Sequence, residues 1–371
     1  MRKYLARSVA ISAVALLALS SAACGSEREG ENPSGGASGG TGGFAADSLI
    51  GVALPAKTSE NWVLAVDLFT NGLKEAGFQA DVQSAGASTT VADQQNQISS
   101  MITKGAKVII IGATDAAQLS AQVDQAHDAG IKVIAYDRLI KGTANVDYYV
   151  AFDNFKVGQL QGQALLDGMK AKKPNGPYTI ELFSGSSDDN NSGVFFDGAM
   201  SVLQPEIDKG NVVVGSGQTQ VTQTATDGWK AENAQRRMDA LLTSTYNGNK
   251  TLDGVLSPND TLARAIITSV KGAGKPLPVV TGQDSEVESV KSIVAGEQYM
   301  TINKDTRNLV KASIDMVKAL QSGGAPQVND TTSYNNGVKV VPAYLLPPVV
   351  VTKANAAEAY ANDPTLSALT K

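Results

Sequence analysis

Val108-Ile109-Ile110-Ile111-Gly112 and Lys132-Val133-Ile134-Ala135-Tyr136-Asp137-Arg138 bracket the stretch that decides the fold. Between them, Ala116 to Ala129 places Leu119, Val123 and Ala126 at i, i+4 and i+7, one face of a helix, and Gly130 stands as its stop. A short apolar run, an amphipathic helix and a second apolar run read as a strand–helix–strand unit, which favours parallel pairing. The alternation continues upstream through Leu49 to Leu54, Ala80 to Ser84 and a helix over Thr90 to Lys104. In that helix Val91, Ile98, Met101 and Ile102 share a face behind a Thr cap. Downstream it continues through Tyr149 to Phe152, Tyr178 to Phe183, Val212 to Gly215, Gly254 to Leu256, Pro278 to Thr281 and Met300 to Asn303. Ten strands are more than one compact doubly wound sheet usually holds, so the expected fold is α/β with two Rossmann-like lobes. The tail from Val338 to Val351 is apolar but interrupted by Pro342, Pro347 and Pro348, which suits edge strands or a strap across the lobes.

The first 46 residues have a different character. Arg2, Lys3 and Arg7 precede an apolar stretch from Ala10 to Leu19, too short to span a bilayer, and small residues then lead to Cys24, the only cysteine of the 371 residues. This reads as a lipoprotein signal peptide over 1–23, with a mature chain that starts at a lipidated Cys24 outside the cytoplasm and is anchored to the cell membrane. A flexible Gly/Ser-rich tether over 24–46 includes Gly35-Gly36-Ala37-Ser38-Gly39-Gly40 and buries no apolar surface. With one thiol no disulfide can brace the fold. A formal net charge of -5 and the lack of a basic block argue against nucleic acid as a partner.

Ligands of open α/β sheets bind beyond the carboxyl ends of the strands. Those positions carry Asp137-Arg138, Asp153-Asn154, the run Ser184 to Asn191, Ser257-Pro258-Asn259-Asp260, Gly282-Gln283-Asp284 and Lys304, while the first strand leads through Lys57 to Asn61-Trp62. Carboxylates, amides and a few cations on one cleft suit a polyhydroxylated ligand, because each vicinal hydroxyl pair donates to a carboxylate and accepts from Arg, Lys or Asn. The C–H faces of a sugar ring need an aromatic wall, and Trp62 and Trp229, the only two tryptophans, stand in loop-to-helix segments that could supply it. Each of these residues also has a plainer reading: Asp153, Asn190 and Asn259 as helix N-caps, Arg138 as a surface charge, the tryptophans as core.

Several segments resemble the sugar-binding proteins of ABC importers with the type I periplasmic-binding fold, in the branch of xylose-binding and ChvE-like multiple-sugar-binding proteins. They are Lys132 to Ile140, Phe152 to Gly158, Asp188-Asp189-Asn190-Asn191, Gly282-Gln283-Asp284, Ala295 to Tyr299 and Asn336 to Pro342. The resemblance implies that Trp62 and Trp229 sandwich a pyranose and that Asp137, Arg138, Asp189, Asn191, Asn259, Asp284 and Lys304 bind its hydroxyls and ring oxygen. Asn61 stands where that branch usually has Arg, which is expected to weaken or redirect binding at one hydroxyl; Lys57 is a candidate to reach the same place. The resemblance also implies an N-terminal lobe over 47–154 plus 304–332 and a C-terminal lobe over 155–303 plus 333–371, joined by a three-crossing hinge. The expected function is capture of an aldose such as xylose, glucose, galactose or arabinose by a monomer that delivers it to an ABC permease, with no cofactor and no metal. An alternative is a receptor that presents sugar to a membrane sensor kinase.

An exported glycosidase using Asp188 and Asp189, or Asp284 and Glu286, is a further class, but adjacent carboxylates seldom aim across one bond. A transcription factor on this fold would carry a helix-turn-helix where the signal and tether stand. His127, the only histidine, falls near a helix end, so neither an imidazole–thiolate zinc site nor a Ser/His/Asp set can be assembled.

Overall fold

The computed structural model describes residues 42–87 and 90–371. The expected signal peptide, Cys24 and nearly all of the tether lie outside the described residues. The elements are β1 (Leu49–Leu54), α1 (Glu60–Glu75), β2 (Gln79–Ser84), α2 (Thr90–Thr103), β3 (Val108–Ile111), α3 (Ser120–Asp128), β4 (Lys132–Tyr136) and β5 (Tyr148–Phe152). Then follow α4 (Asn154–Lys172), β6 (Tyr178–Leu182), α5 (Asn190–Asp208), β7 (Val212–Val214), α6 (Val221–Thr224), α7 (Ala231–Ser244), β8 (Gly254–Leu256), α8 (Asp260–Gly272), β9 (Val279–Val280), α9 (Val287–Ala295) and β10 (Met300–Asn303). The chain ends with α10 (Thr306–Gln321), β11 (Ala343–Leu346), β12 (Val349–Thr352) and α11 (Ala356–Ala359).

Two parallel sheets result. The first has six strands in the order β11-β5-β4-β3-β1-β2, and the second has four in the order β7-β6-β8-β9. Alternation across β3 explains why the first sheet is covered twice: Ile109 and Ile111 face Met101, Val123 and Ala126 of α2 and α3, while Val108 and Ile110 face Phe69, Leu73 and Val317 of α1 and α10. The second sheet is built likewise, with Val255 and Val280 toward α7 and α8 and Ile180 and Leu182 toward α4 and α5. β10 continues beside β9 through bonds from Tyr299 N to Val280 O and from Ile302 N to Gly282 O, and it pairs antiparallel with β12.

The chain passes from one sheet to the other after β5, after β10 and after β11. The tail departs from the expected division, because Ala343–Leu346 pairs in parallel with Tyr149–Phe152 at the edge of the first sheet, and Asn336 donates to Thr143 O. Only from Val349 onward does it join the second. The Pro347-Pro348 pair that separates the two strands has no N–H to give a ladder, which fixes the switch there.

The helix expected from Ala116 starts instead at Ser120. The preceding turn is held by other partners: Ala117 N donates to Asp115 Oδ1, Lys141 N to Ala116 O, and Ala116 N to Asp188 O of the other half at 3.0 Å.

Candidate ligand-binding site

A cavity opens at the carboxyl ends of the strands of both sheets. Ten of the eleven expected residues line it: Asn61, Trp62, Asp137 and Arg138 from the first half with Lys304 after β10, and Asp189, Asn191, Trp229, Asn259 and Asp284 from the second. Lys57 does not; it is exposed and lies on an outer groove with Glu60 and Leu64. Asp153 is also absent from the lining and is a helix cap, its carboxylate accepting from Lys156 N at 3.0 Å. Asn259 does both jobs, since its Oδ1 accepts from Leu262 N at 3.0 Å while the residue faces the cavity. At α5 the cap is Asp189 rather than Asn190, accepting from Asn191 N at 2.9 Å.

Asp189 joins the two halves. Its Oδ2 lies 3.0 Å from Arg138 Nε and accepts from Trp229 Nε1 at 3.2 Å. Burial pushes its carboxyl above the ordinary range; Arg138 and the Asn191 N–H pull it back, and Asp137 and Asp188 push it further up. The Arg138 guanidinium is further fixed by Nη1 on Ala113 O at 3.2 Å and lies 5.4 Å from the centre of the Trp62 ring. On the opposite wall Lys304 Nζ lies 3.1 Å from Asp284 Oδ1 and 5.4 Å from the Phe195 ring centre. Burial alone would lower the Lys304 ammonium, but Asp284, then Asp137 and Asp189, outweigh it and hold it above its usual value. Each cation is thus paired with an acidic side chain of the cavity, and Asp137 is a third acid of the lining.

Among the described residues, the non-glycine residues with left-handed backbone are Asp137 (φ 59°), Trp229 (φ 55°), Asp284 (φ 97°) and Ser285 (φ 54°). Three line the cavity and the fourth adjoins it, so the backbone strain of the fold is concentrated at this site. Asp137 is held by its carbonyl, which accepts from Tyr149 Oη at 2.7 Å and Asn191 Nδ2 at 2.8 Å. Trp229 is accommodated by Gly185, where a Cβ would come within 2.1 Å of the indole ring. Trp62 is nearly buried, against Tyr136 at 6.1 Å between centroids and the α1 core, whereas Trp229 is half-buried.

The cavity also takes in residues that sequence reasoning passed over. Tyr136 and Phe152 close strands whose ends carry the expected charges, Phe195 stands one turn after Asn191 on α5, and Thr58, Ser59, Thr261, Thr306 and Leu309 complete the wall together with Gln283 of the strand-end run already named. The i, i+4 step from Asn191 to Phe195 was a usable signal. The paired carboxylates weighed for hydrolysis are not paired here. Asp188 is exposed and outside the lining, and Glu286 is turned away onto Arg264 (2.6 Å) and Thr261.

Two parallel sheets with a polar, aromatic-walled cavity across their strand ends define a type I periplasmic-binding fold. Residues 50–325 match the family model of the periplasmic binding protein domain, and the chain belongs to that family, whose members are substrate-binding receptors rather than enzymes. It is 52% identical over 318 residues to the multiple sugar-binding periplasmic receptor ChvE of Rhizobium radiobacter, covering 84% of this chain and 89% of the relative. It is 37% identical to the D-xylose-binding periplasmic protein of Escherichia coli, covering 82% and 87%. Among solved structures, an ABC transporter solute binding protein from Clostridium phytofermentans with bound β-D-glucose superimposes with a TM-score of 0.83 at 39% identity, covering 87% of this chain and 100% of the other. The Rhizobium and Escherichia relatives are periplasmic, and no helix among the described residues is long and apolar enough to cross a membrane.

Proposed function

We propose that the protein captures a monosaccharide of the aldose class in this cavity and hands it to an ABC importer. The observation that carries the reading is the convergence of three carboxylates, two paired cations and the amides of Asn61, Asn191 and Asn259 between Trp62 and Trp229. Carboxylates accept from ring hydroxyls, amides and cations donate to them, and the indoles cover the C–H faces. The sugars named with its relatives, xylose and glucose, belong to this class.

Because both halves supply groups to one cavity, bound sugar stabilises the form in which they approach, with the three passages between the sheets acting as the hinge. The closed form is what the permease recognises. Cys24 carries the lipid that keeps the protein at the membrane, and the segment after it is the leash.

The test is a thermal-shift panel on the domain from residue 44 with xylose, glucose, galactose, arabinose, fucose, ribose, glucuronate and inositol. Ligand that binds only the folded state raises the midpoint by mass action. A rise with one or more aldoses is the expected result, and silence across the aldoses at millimolar concentration rules the reading out. Anchoring is tested separately, by mass spectrometry of the exported N-terminus before and after Cys24→Ser.

A further inference from the structure

The carboxylate of Asp284 faces the cavity from a backbone that ordinary residues avoid, with Asp284 and Ser285 in consecutive left-handed conformations. Such a pair persists only where the surroundings over-determine it. From below, the segment is held by the second half itself. Asp284 N donates to Ile302 O at 2.9 Å, Ser285 N to Thr301 Oγ1 at 3.2 Å, and Glu286 N to Asp260 Oδ2 at 3.0 Å. Asp260 is fully buried and also accepts from Gln298 and Thr301; Gly282 clears room for it, since a Cβ there would lie 2.1 Å from its Oδ1.

One further bond comes from outside this frame. Tyr360, just past α11 in the C-terminal tail, donates its hydroxyl to Ser285 Oγ at 2.6 Å. The ring is 1% exposed, packed with Val290, Val351, Ala356 and Leu366, and burial keeps the hydroxyl protonated and so a donor. The tail is itself pinned to α10 by the Arg307–Asp363 ion pair. Tyr360 does not line the cavity.

We infer that Tyr360 is a positioning residue for sugar binding: through Ser285 it fixes the backbone that aims Asp284 at one hydroxyl of the ligand, and the C-terminal tail is thereby part of the binding site's frame. This rests on the sugar-binding reading above. A tail that merely filled space beside α9 would need the ring of Tyr360 but not its hydroxyl, and removing the hydroxyl isolates the proposed role. The loss should be specific to the hydroxyl that Asp284 takes, because the rest of the cavity is held by other elements.

The experiment uses the soluble chain and calorimetric titration with D-glucose, D-xylose and the 2-, 3-, 4- and 6-deoxy analogues of glucose. Tyr360→Phe and Ser285→Ala are each expected to weaken binding of the parent sugars about three- to tenfold, the range of one hydrogen bond. Their double variant is expected to lose no more than either alone, with sugar-free melting close to wild type. For a single analogue, the one lacking the hydroxyl aimed at by Asp284, the loss should shrink to nothing. Equal loss across every analogue, additive effects of the two substitutions, or unchanged affinity in a wild type that does bind would each overturn the inference while leaving sugar binding intact. A wild type that binds neither parent sugar overturns both.

Discussion

Glu60, the first residue of α1, accepts a hydrogen bond from the backbone N–H of Val287, the first residue of α9, at 2.8 Å and across 227 positions of sequence. Glu286, which precedes α9, offers it no side-chain cap because its carboxylate is occupied by Thr261 and Arg264. The helix is therefore capped from the opposite half, on the outer groove and one residue before Asn61 of the cavity wall. A carboxylate on a helix N-terminus contributes about 0.3–1 kcal/mol. Glu60→Ala should speed sugar release about two- to fivefold with little change in the rate of association, read by stopped-flow tryptophan fluorescence with D-glucose. Added salt should narrow the gap between the two proteins. Equal release rates would show that this bond does not hold the halves together.

Gly185 lies against the Trp229 indole with no space for a methyl group. Gly185→Ala is expected to displace the ring and weaken binding of the preferred sugar by about tenfold or more, since a central aromatic wall dominates such contacts. The circular dichroism of the sheets should not change. Retention of wild-type affinity would mean that the indole can shift without cost to the ligand.

The two tryptophans should separate binding from stability. Trp62 belongs to the core between α1 and the first sheet, so Trp62→Ala should cost about 3–5 kcal/mol of stability as well as binding. Trp229 is half-buried, and Trp229→Ala should cost mainly affinity. Urea unfolding alongside titration checks both; equal destabilisation by the two substitutions would contradict the assignment.

Asp363 carries the pH prediction. Burial alone would raise its carboxyl, but N–H groups of Leu366 and Thr365 and the Arg307 guanidinium more than compensate and hold it below the ordinary carboxylate value. A depressed folded value means that the unfolded chain takes up its proton first as the pH falls, so the stabilisation is complete above the unfolded value and is lost as the pH falls on through the lower folded value. Asp363→Asn should melt lower than wild type at pH 7, with the difference closing as the pH drops through 4 and below. A difference that widens toward acid would reverse the sign and refute it.

The strands were legible because Ile, Val and Tyr runs between helical patterns have few other uses: β1, β4, β8 and β10 begin and end where the apolar runs do. The site was legible for a related reason, since the strand ends are where polar residues cannot serve the core. What escaped depended on distant partners. The start of α3 is set by Asp188, some seventy residues on, and the burial of Phe195 against Lys304 by a strand a hundred residues later. Lys57 was misplaced because a residue three or four positions before a helix can face either side of the loop, and local sequence does not say which.

The tail leaves the first sheet at Leu346 and enters the β10–β12 pair at Val349, with two prolines between. Each half thus receives its last strand from the same ten residues, 343–352, which ties the completion of one to that of the other along the chain. The described residues form a single compact unit, and calorimetry of the sugar-free protein should accordingly show one cooperative transition, not two. In a chain made from its N-terminus, both halves therefore wait on this one stretch for their last strands.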